Sequence, residues 1–197
     1  MHIDIRALDA RAVQASVALV SKVSADDLAR PTPCSAWTVA DLLAHMIVQH
    51  DGFAAAANGA TDLSVWAVRP LGDDPVAAYR AAAERVVAAF AADGVLTRAF
   101  TLPEISTEIT FEAPRAIGFH FIDYLAHGWD VARAIGVEYT PEPDLVAAGL
   151  PIAEAVPDGD IRRQPGSAFA PGLAASADST TWDRVLALLG RSPAWPA

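Results

Sequence analysis

Apolar side chains recur every three or four residues along most of this chain of 197 residues, and such spacing predicts α-helices. Polar residues occupy most of the positions between them, so each segment presents one apolar face. Four long helices are predicted in this way, over residues 3–22, 38–57, 73–92 and 115–136. Two shorter helices are predicted, one over residues 143–154 and one in the stretch STTWDRVLALLG, which ends at Gly190.

Several predicted helix ends carry capping signals. Thr38 stands three residues before Asp41, a spacing in which each side chain can accept a hydrogen bond from the other residue's backbone N–H. Asp74 precedes Pro75, which suits the first turn of a helix, and Gly136 follows the fourth long helix. Between the third and fourth helices, TRAFTL and STEITF are β-prone. They predict either a small hairpin or an extended crossover.

The predicted elements favour an all-α fold. Four long amphipathic helices are typical of a four-helix bundle, and the long connection between the third and fourth helices permits a crossover. A hydrophobic content of 53% is enough for a substantial core in one domain. We therefore expect a single domain over residues 1–197, with a bundle core over 1–140 and a short helical C-terminal extension over 141–197.

Charge and hydropathy exclude several classes of partner. The formal net charge is −10 and Lys22 is the only lysine, whereas nucleic acids and anionic membranes are bound through clustered Lys and Arg. We find no uninterrupted apolar run of the roughly 18 residues that a membrane-spanning helix needs. The first residues, MHIDIRALDAR, do not resemble a signal peptide. Cys34 is the only cysteine, which excludes an intrachain disulfide and favours a cytoplasmic location.

Candidate metal ligands lie on two of the predicted helices. Asp123 and His127 are four residues apart, so they project from the same helix face one turn apart. One helix uses this spacing to give a metal ion two ligands. A third ligand must come from a facing helix, and His45 is the best candidate because it lies among apolar residues. Core histidines that are hydrogen-bonded to backbone carbonyls are the alternative interpretation.

His120 is the only candidate for a catalytic acid–base residue. It lies seven residues before His127, about 10.5 Å along the helix axis, which is too far for both rings to share one metal ion comfortably. The favoured interpretation is a boundary histidine near the start of the helix. His50 follows His45 by five residues, about 140° around the helix, and is expected to point elsewhere.

Two further side chains could surround a metal site. Asp130 follows His127 by three residues and could accept a hydrogen bond from its ring, although a salt bridge with Arg133 is equally compatible with the spacing. Cys34 lies in a proline-flanked loop before the second helix, and no neighbour in the sequence would lower its pKa. We therefore expect a structural role for Cys34.

Three stretches resemble one known family. TPCSAWTVADLLAHM, YLAHGWDVARAIG and DRVLALLGRSP together resemble the mycothiol-dependent maleylpyruvate isomerase family, particularly its small actinobacterial metal-binding relatives within the DinB-like superfamily. The resemblance implies a divalent metal, typically zinc with nickel or iron as alternatives, bound by His45, Asp123 and His127. The isomerase pattern has glutamate where this chain has Asp123. The isomerase also has a separate C-terminal domain that 197 residues are too few to contain in full.

Three protein ligands leave one position of a tetrahedral ion open, as in catalytic zinc sites. The resemblance implies that mycothiol, a low-molecular-weight thiol, occupies this position as a co-substrate and that its thiolate attacks an electrophilic substrate. The expected function is therefore a thiol-dependent isomerase or S-transferase. A non-catalytic metal-binding or small-molecule-binding bundle and a metal-dependent hydrolase are the alternatives. Bundles of this kind can also form homodimers through an exposed helix face.

Overall fold

The computed structural model describes residues 4–34, 37–164 and 167–196. Its helices are α1 (Ile5–Val20), α2 (Val39–Ala57), α3 (Pro75–Phe90), α4 (Ala113–Ile135), α5 (Pro143–Ala155) and α6 (Thr181–Leu188). Its strands are β1 (Ala99–Thr101) and β2 (Thr110–Glu112). These elements confirm the predicted all-α class, with a DinB-like bundle of four long helices. None of the described helices combines the length and the hydropathy that crossing a membrane requires.

The capping signals in the sequence mark the observed helix ends. Thr38 and Asp41 form a complete capping box at the start of α2, in which Asp41 Oδ2 accepts from the Thr38 backbone N–H at 2.9 Å. The Asp74 side chain accepts from the Ala77 backbone N–H before α3. Gly136 ends α4 with a φ of 74°, a left-handed conformation that glycine adopts without strain.

The chain crosses the bundle twice. Helix α1 packs against α3 and α4, and α2 packs against the same two helices, so α1 and α2 occupy opposite corners. The second crossover, from α3 to α4, contains the antiparallel pair β1–β2, in which Phe100 is opposite Phe111. Both phenylalanines are buried against the bundle. The structure therefore contains the predicted long crossover, and of the two alternatives for TRAFTL and STEITF it contains the hairpin.

The C-terminal extension covers one side of α4. Helix α5 packs against α4, and α6 packs against α5. A Cβ atom at Gly149 would lie 3.1 Å from Leu125 Cδ1, so the glycine permits the close approach of α5 to α4. Arg11 of α1 donates to Asp144 at the start of α5, with an Nη1–Oδ2 distance of 2.6 Å. The division into a core over 1–140 and an extension over 141–197 stays a prediction.

Candidate metal centre

The three predicted ligands lie on the two helices that the sequence indicated. His45 is in the second turn of α2, and Asp123 and His127 are one turn apart on α4, which packs directly against α2. The ring centroids of His45 and His127 are 5.2 Å apart. One ligand atom from each of the three side chains can be chosen so that all three atoms lie within 4.8 Å of one another. We call these residues the triad.

The spacing between Asp123 and His127 suits two ligands of a tetrahedral cation. Asp123 Oδ1 and His127 Nε2 are 3.3 Å apart. Two ligands that bind zinc at about 2.0–2.1 Å in tetrahedral geometry are themselves about 3.3–3.4 Å apart. The side chain of His127 is 1% exposed, whereas that of Asp123 is 16% exposed and His45 is also partly exposed. A bound ion would therefore be approached from the side of His45 and Asp123.

A buried chain of polar contacts fixes the ring of His127. Its Nδ1 is 2.9 Å from Asp130 Oδ2, and the same oxygen accepts from Arg191 Nη2 at 3.1 Å. Because Nδ1 donates to Asp130, the Nε2 lone pair is directed at Asp123. A lone pair and a carboxylate repel each other at 3.3 Å unless a proton or a metal ion lies between them. Of the two alternatives for Asp130, the structure contains the outer hydrogen bond to His127.

The pKa values of the two histidines of the triad are shifted in opposite directions. Burial opposes the protonation of His127, but the charge of Asp123 and the hydrogen bonds to Asp123 and Asp130 outweigh it and raise the pKa of His127 to about 9. Burial opposes the ionisation of Asp123, yet its interaction with His127 holds the pKa of the carboxyl well below its usual range. Burial and the charge of His127 lower the pKa of His45 to about 4. The imidazole of His45 is therefore neutral at pH 7, the form in which histidine binds metal ions.

Two residues before α2 form a wall beside the triad. The ring centroid of Trp37 is 4.7 Å from that of His45 and 6.2 Å from that of His127. Cys34 Sγ, with a ligand atom each of His127 and Asp130, forms a second group compact enough for a metal ion. Burial outweighs the nearby Arg191 charge and raises the pKa of the Cys34 thiol to about 11. Asp130 already accepts hydrogen bonds from His127 and Arg191, and the second group shares His127 with the triad, so we take the triad as the favoured site.

His120 belongs to a different cluster. It is fully buried, its Nδ1 is 2.6 Å from Asp9 Oδ1, and its Nε2 is 3.1 Å from His50 Nδ1. The interpretation of His120 as a boundary histidine is therefore wrong, because α1 and α2 cover this part of α4. Both ring nitrogens are engaged in the core, which favours a structural role over the catalytic one. His50 points away from His45, as predicted.

Two buried charged residues, Asp9 and Arg191, were not predicted from the sequence. Asp9 lies four residues after Ile5 and four before Val13, and therefore on the apolar face of α1. This spacing is the signal from which the burial of its carboxylate could have been predicted. Arg191 is 2% exposed and contacts Asp130 across 61 residues of sequence, a pairing for which the local pattern gave no signal.

Comparisons of the sequence with known proteins found a matching family and two similar proteins. The sequence model of the mycothiol maleylpyruvate isomerase N-terminal domain matches residues 10–132, a range that includes the whole triad. Two uncharacterized proteins of Mycobacterium tuberculosis, Rv0738 of strain H37Rv and MT0763 of strain CDC 1551, are each 34% identical to the chain over 189 residues. The alignments cover 92% of this chain and 94% of each relative. No solved structure matches the chain.

Proposed function

This chain belongs to the family of the mycothiol maleylpyruvate isomerase N-terminal domain, and from that premise we propose that it binds one divalent metal ion, zinc in the first instance, through His45, Asp123 and His127. The ion serves to activate a low-molecular-weight thiol, mycothiol by the family relationship. The observation that carries this proposal is the convergence of the three ligand atoms to within 4.8 Å, with a proton or a cation required between Asp123 and His127.

The charge of the triad suits a thiolate. One carboxylate and two neutral imidazoles leave about one net positive charge on a divalent ion. A metal with three protein ligands has an open position, and coordination there deprotonates a thiol at neutral pH. The residues of this chain contribute the orientation of the ligands, since Asp130 and Arg191 hold the ring of His127. Trp37 supplies an apolar wall beside His45 for the body of the thiol or its reaction partner.

The proposed reaction class is thiol addition to an electrophilic, unsaturated substrate. If the thiol leaves again after the substrate has rotated, the outcome is isomerisation. If the thiol stays attached, the outcome is S-transfer. Both outcomes use the same three ligands. The metal centre is therefore compatible with thiol addition in general, and the substrate determines whether isomerisation or S-transfer follows.

The first test of this proposal is elemental analysis. We expect about one equivalent of metal in the purified wild type and little in His127→Ala, because the loss of one ligand leaves only two. Asp51→Ala is the matched control, since Asp51 is a carboxylate of α2 that pairs with Arg85 instead. It should retain the wild-type metal content. Equal metal in the wild type and in His127→Ala would contradict the proposed site.

The second test addresses the thiol. Cobalt-loaded protein titrated with mycothiol should develop the charge-transfer absorption of a thiolate on the metal. Turnover of panels of unsaturated electrophiles should then depend on added thiol. Turnover without thiol would indicate hydrolysis instead, and retained metal with neither thiol binding nor turnover would indicate a binding protein.

A further inference from the structure

A carboxylate from the β1–β2 connection lies beside the triad. Gln49 follows His45 by one turn of α2, so the two side chains project from the same helix face, about 6 Å apart. Gln49 is 7% exposed, and its Nε2 donates to Glu104 Oε2 at 2.6 Å. Glu104 belongs to the segment between β1 and β2 and remains accessible to solvent.

The register of α2 against α4 places this carboxylate close to Asp123. His45 is level with His127, and His50 is level with His120, so the two helices run antiparallel. Gln49, four residues after His45, must therefore be level with the part of α4 that lies one turn before His127, where Asp123 stands. Glu104 is held by Gln49 and is exposed, so its carboxylate lies near the level of Asp123, a member of the triad that is itself 16% exposed.

The surroundings of Glu104 adjust its affinity for a proton. Partial burial raises the pKa of the carboxyl, the hydrogen bond from Gln49 opposes this, and the charge of Asp123 raises the pKa further. A solvent-accessible carboxylate held at this position can accept a proton from a bound thiol and return it to the product.

We propose that Glu104 is the acid–base residue of the thiol reaction, an inference that rests on the proposed function. Its carboxylate accepts the proton that the thiol loses on entering the site. The sulfur then forms a bond to the β-carbon of an α,β-unsaturated carbonyl compound, and the electron pair of the C=C bond moves onto the α-carbon and the carbonyl. Glu104 returns its proton to the α-carbon, so that RS–H has added across the double bond with no other reactant.

The test compares Glu104→Gln with Glu108→Gln. Glutamine at position 104 can still accept from Gln49 but cannot take up a proton, and Glu108 is an exposed carboxylate of the same connection. All three proteins are loaded with zinc and titrated with mycothiol by isothermal titration calorimetry. The titration is repeated in buffers that differ in their enthalpy of ionisation. The dependence of the measured heat on that enthalpy gives the number of protons released per bound thiol. We expect Glu104→Gln to release more protons per bound thiol than the wild type, by up to one proton, and Glu108→Gln to match the wild type.

Turnover of an unsaturated carbonyl substrate should fall about 10²–10⁴-fold in Glu104→Gln, with the metal content unchanged. Unchanged proton release in a Glu104→Gln protein that still binds metal and thiol would overturn the inference and leave the proposed function intact. Loss of the metal in Glu104→Gln would also overturn it, because Glu104 would then act as a ligand or a structural residue. A wild type that binds neither metal nor mycothiol would overturn both proposals.

Discussion

Two clusters in this bundle are built from the same residue types, two histidines and one aspartate, and both span α2 and α4. They are the triad (His45, Asp123 and His127) and the core cluster (Asp9, His50 and His120), which takes its aspartate from α1. Every member of the core cluster is at most 1% exposed, whereas two members of the triad are partly open to solvent.

The difference between the clusters lies in the direction of the lone pairs. In the core cluster the polar atoms form a chain from Asp9 through His120 to His50, so both ring nitrogens of His120 are used within the protein. In the triad the ligand atoms converge on one point. Among the described residues, the groups compact enough to hold a metal ion both include His127 and neither includes His120. The same residue types therefore adopt different geometries in the two clusters.

The largest expected effect comes from replacing one histidine in each cluster, His120 in the core cluster and His127 in the triad. His120→Ala leaves the Asp9 carboxylate buried without its partner, and we expect a loss of about 3–5 kcal/mol in the free energy of unfolding. Urea denaturation of the metal-free proteins measures this loss. Folded His120→Ala should nevertheless bind about one equivalent of metal, whereas His127→Ala should bind little.

His120→Gln serves as a milder variant, because an amide can keep one of the two hydrogen bonds and should lose less stability. The comparison between the clusters fails if folded His120→Ala or His120→Gln loses metal to the same extent as His127→Ala. It also fails if His120→Ala unfolds at the wild-type urea concentration.

The next effect concerns the contacts behind the triad. Asp130→Asn and Arg191→Met should each weaken metal binding about 10–100-fold, or about 1.4–2.7 kcal/mol, because they release the ring of His127 from its fixed orientation. Competition with a chromophoric chelator measures the affinity. Arg133→Met is the matched control, since Arg133 lies over the ring of Trp129 and not at Asp130. Equal losses in all three variants would mean that the C-terminal side of α4 acts only through general stability.

Local signals in the sequence were enough to predict the helices and much of the triad. Caps such as Thr38–Asp41 act within one turn, and the four-residue spacing of Asp123 and His127 fixes their common face. Placing His45 opposite them required only that α2 and α4 be neighbours in a bundle. The three side chains lie together because each step depends on helix geometry or on one helix contact, and metal binding by them stays a prediction.

Contacts between distant segments could not be predicted in this way. Arg191 reaches Asp130 and the sulfur of Cys34 only because α6 and the chain after it return to the end of α4. Glu104 reaches Gln49 only because the β1–β2 hairpin folds over α2. Both contacts depend on the path of a loop, for which hydrophobic spacing carries no information.

A pH-dependent effect tests the core cluster through His50. Burial, together with the charges of His120 and Arg85, lowers the pKa of His50 well below 6.5. The unfolded chain therefore takes up a proton at His50 below about pH 6.5 that the folded protein does not accept. The free energy of unfolding should consequently decrease as the pH falls through this range, by up to about 1.4 kcal/mol per pH unit.

His50→Gln tests this dependence, because its amide can still reach His120 Nε2 but does not titrate. The difference in stability between the metal-free wild type and the variant should shrink or reverse as the pH falls below 6.5. His120 and Asp9, which face His50 in the cluster, are present in both proteins, as is His45. Parallel stability curves for the two proteins between pH 7 and pH 5 would show that His50 becomes protonated within the fold.

The smallest effect compares two identical helix caps. Thr38–Asp41 begins α2, which carries His45, and Thr180–Asp183 begins α6, which carries no ligand of the triad. The Oγ1–Oδ2 distances within the two capping boxes are 2.6 and 2.7 Å, so Thr38→Ala and Thr180→Ala should each cost about 1 kcal/mol of stability.

His45 is only two turns from the cap of α2, whereas His50 is more than three turns from it. Fraying of α2 should therefore weaken metal binding slightly in Thr38→Ala, leave the core cluster intact, and have no counterpart in Thr180→Ala. Equal metal affinity in the two variants would show that the triad does not depend on the first turns of α2.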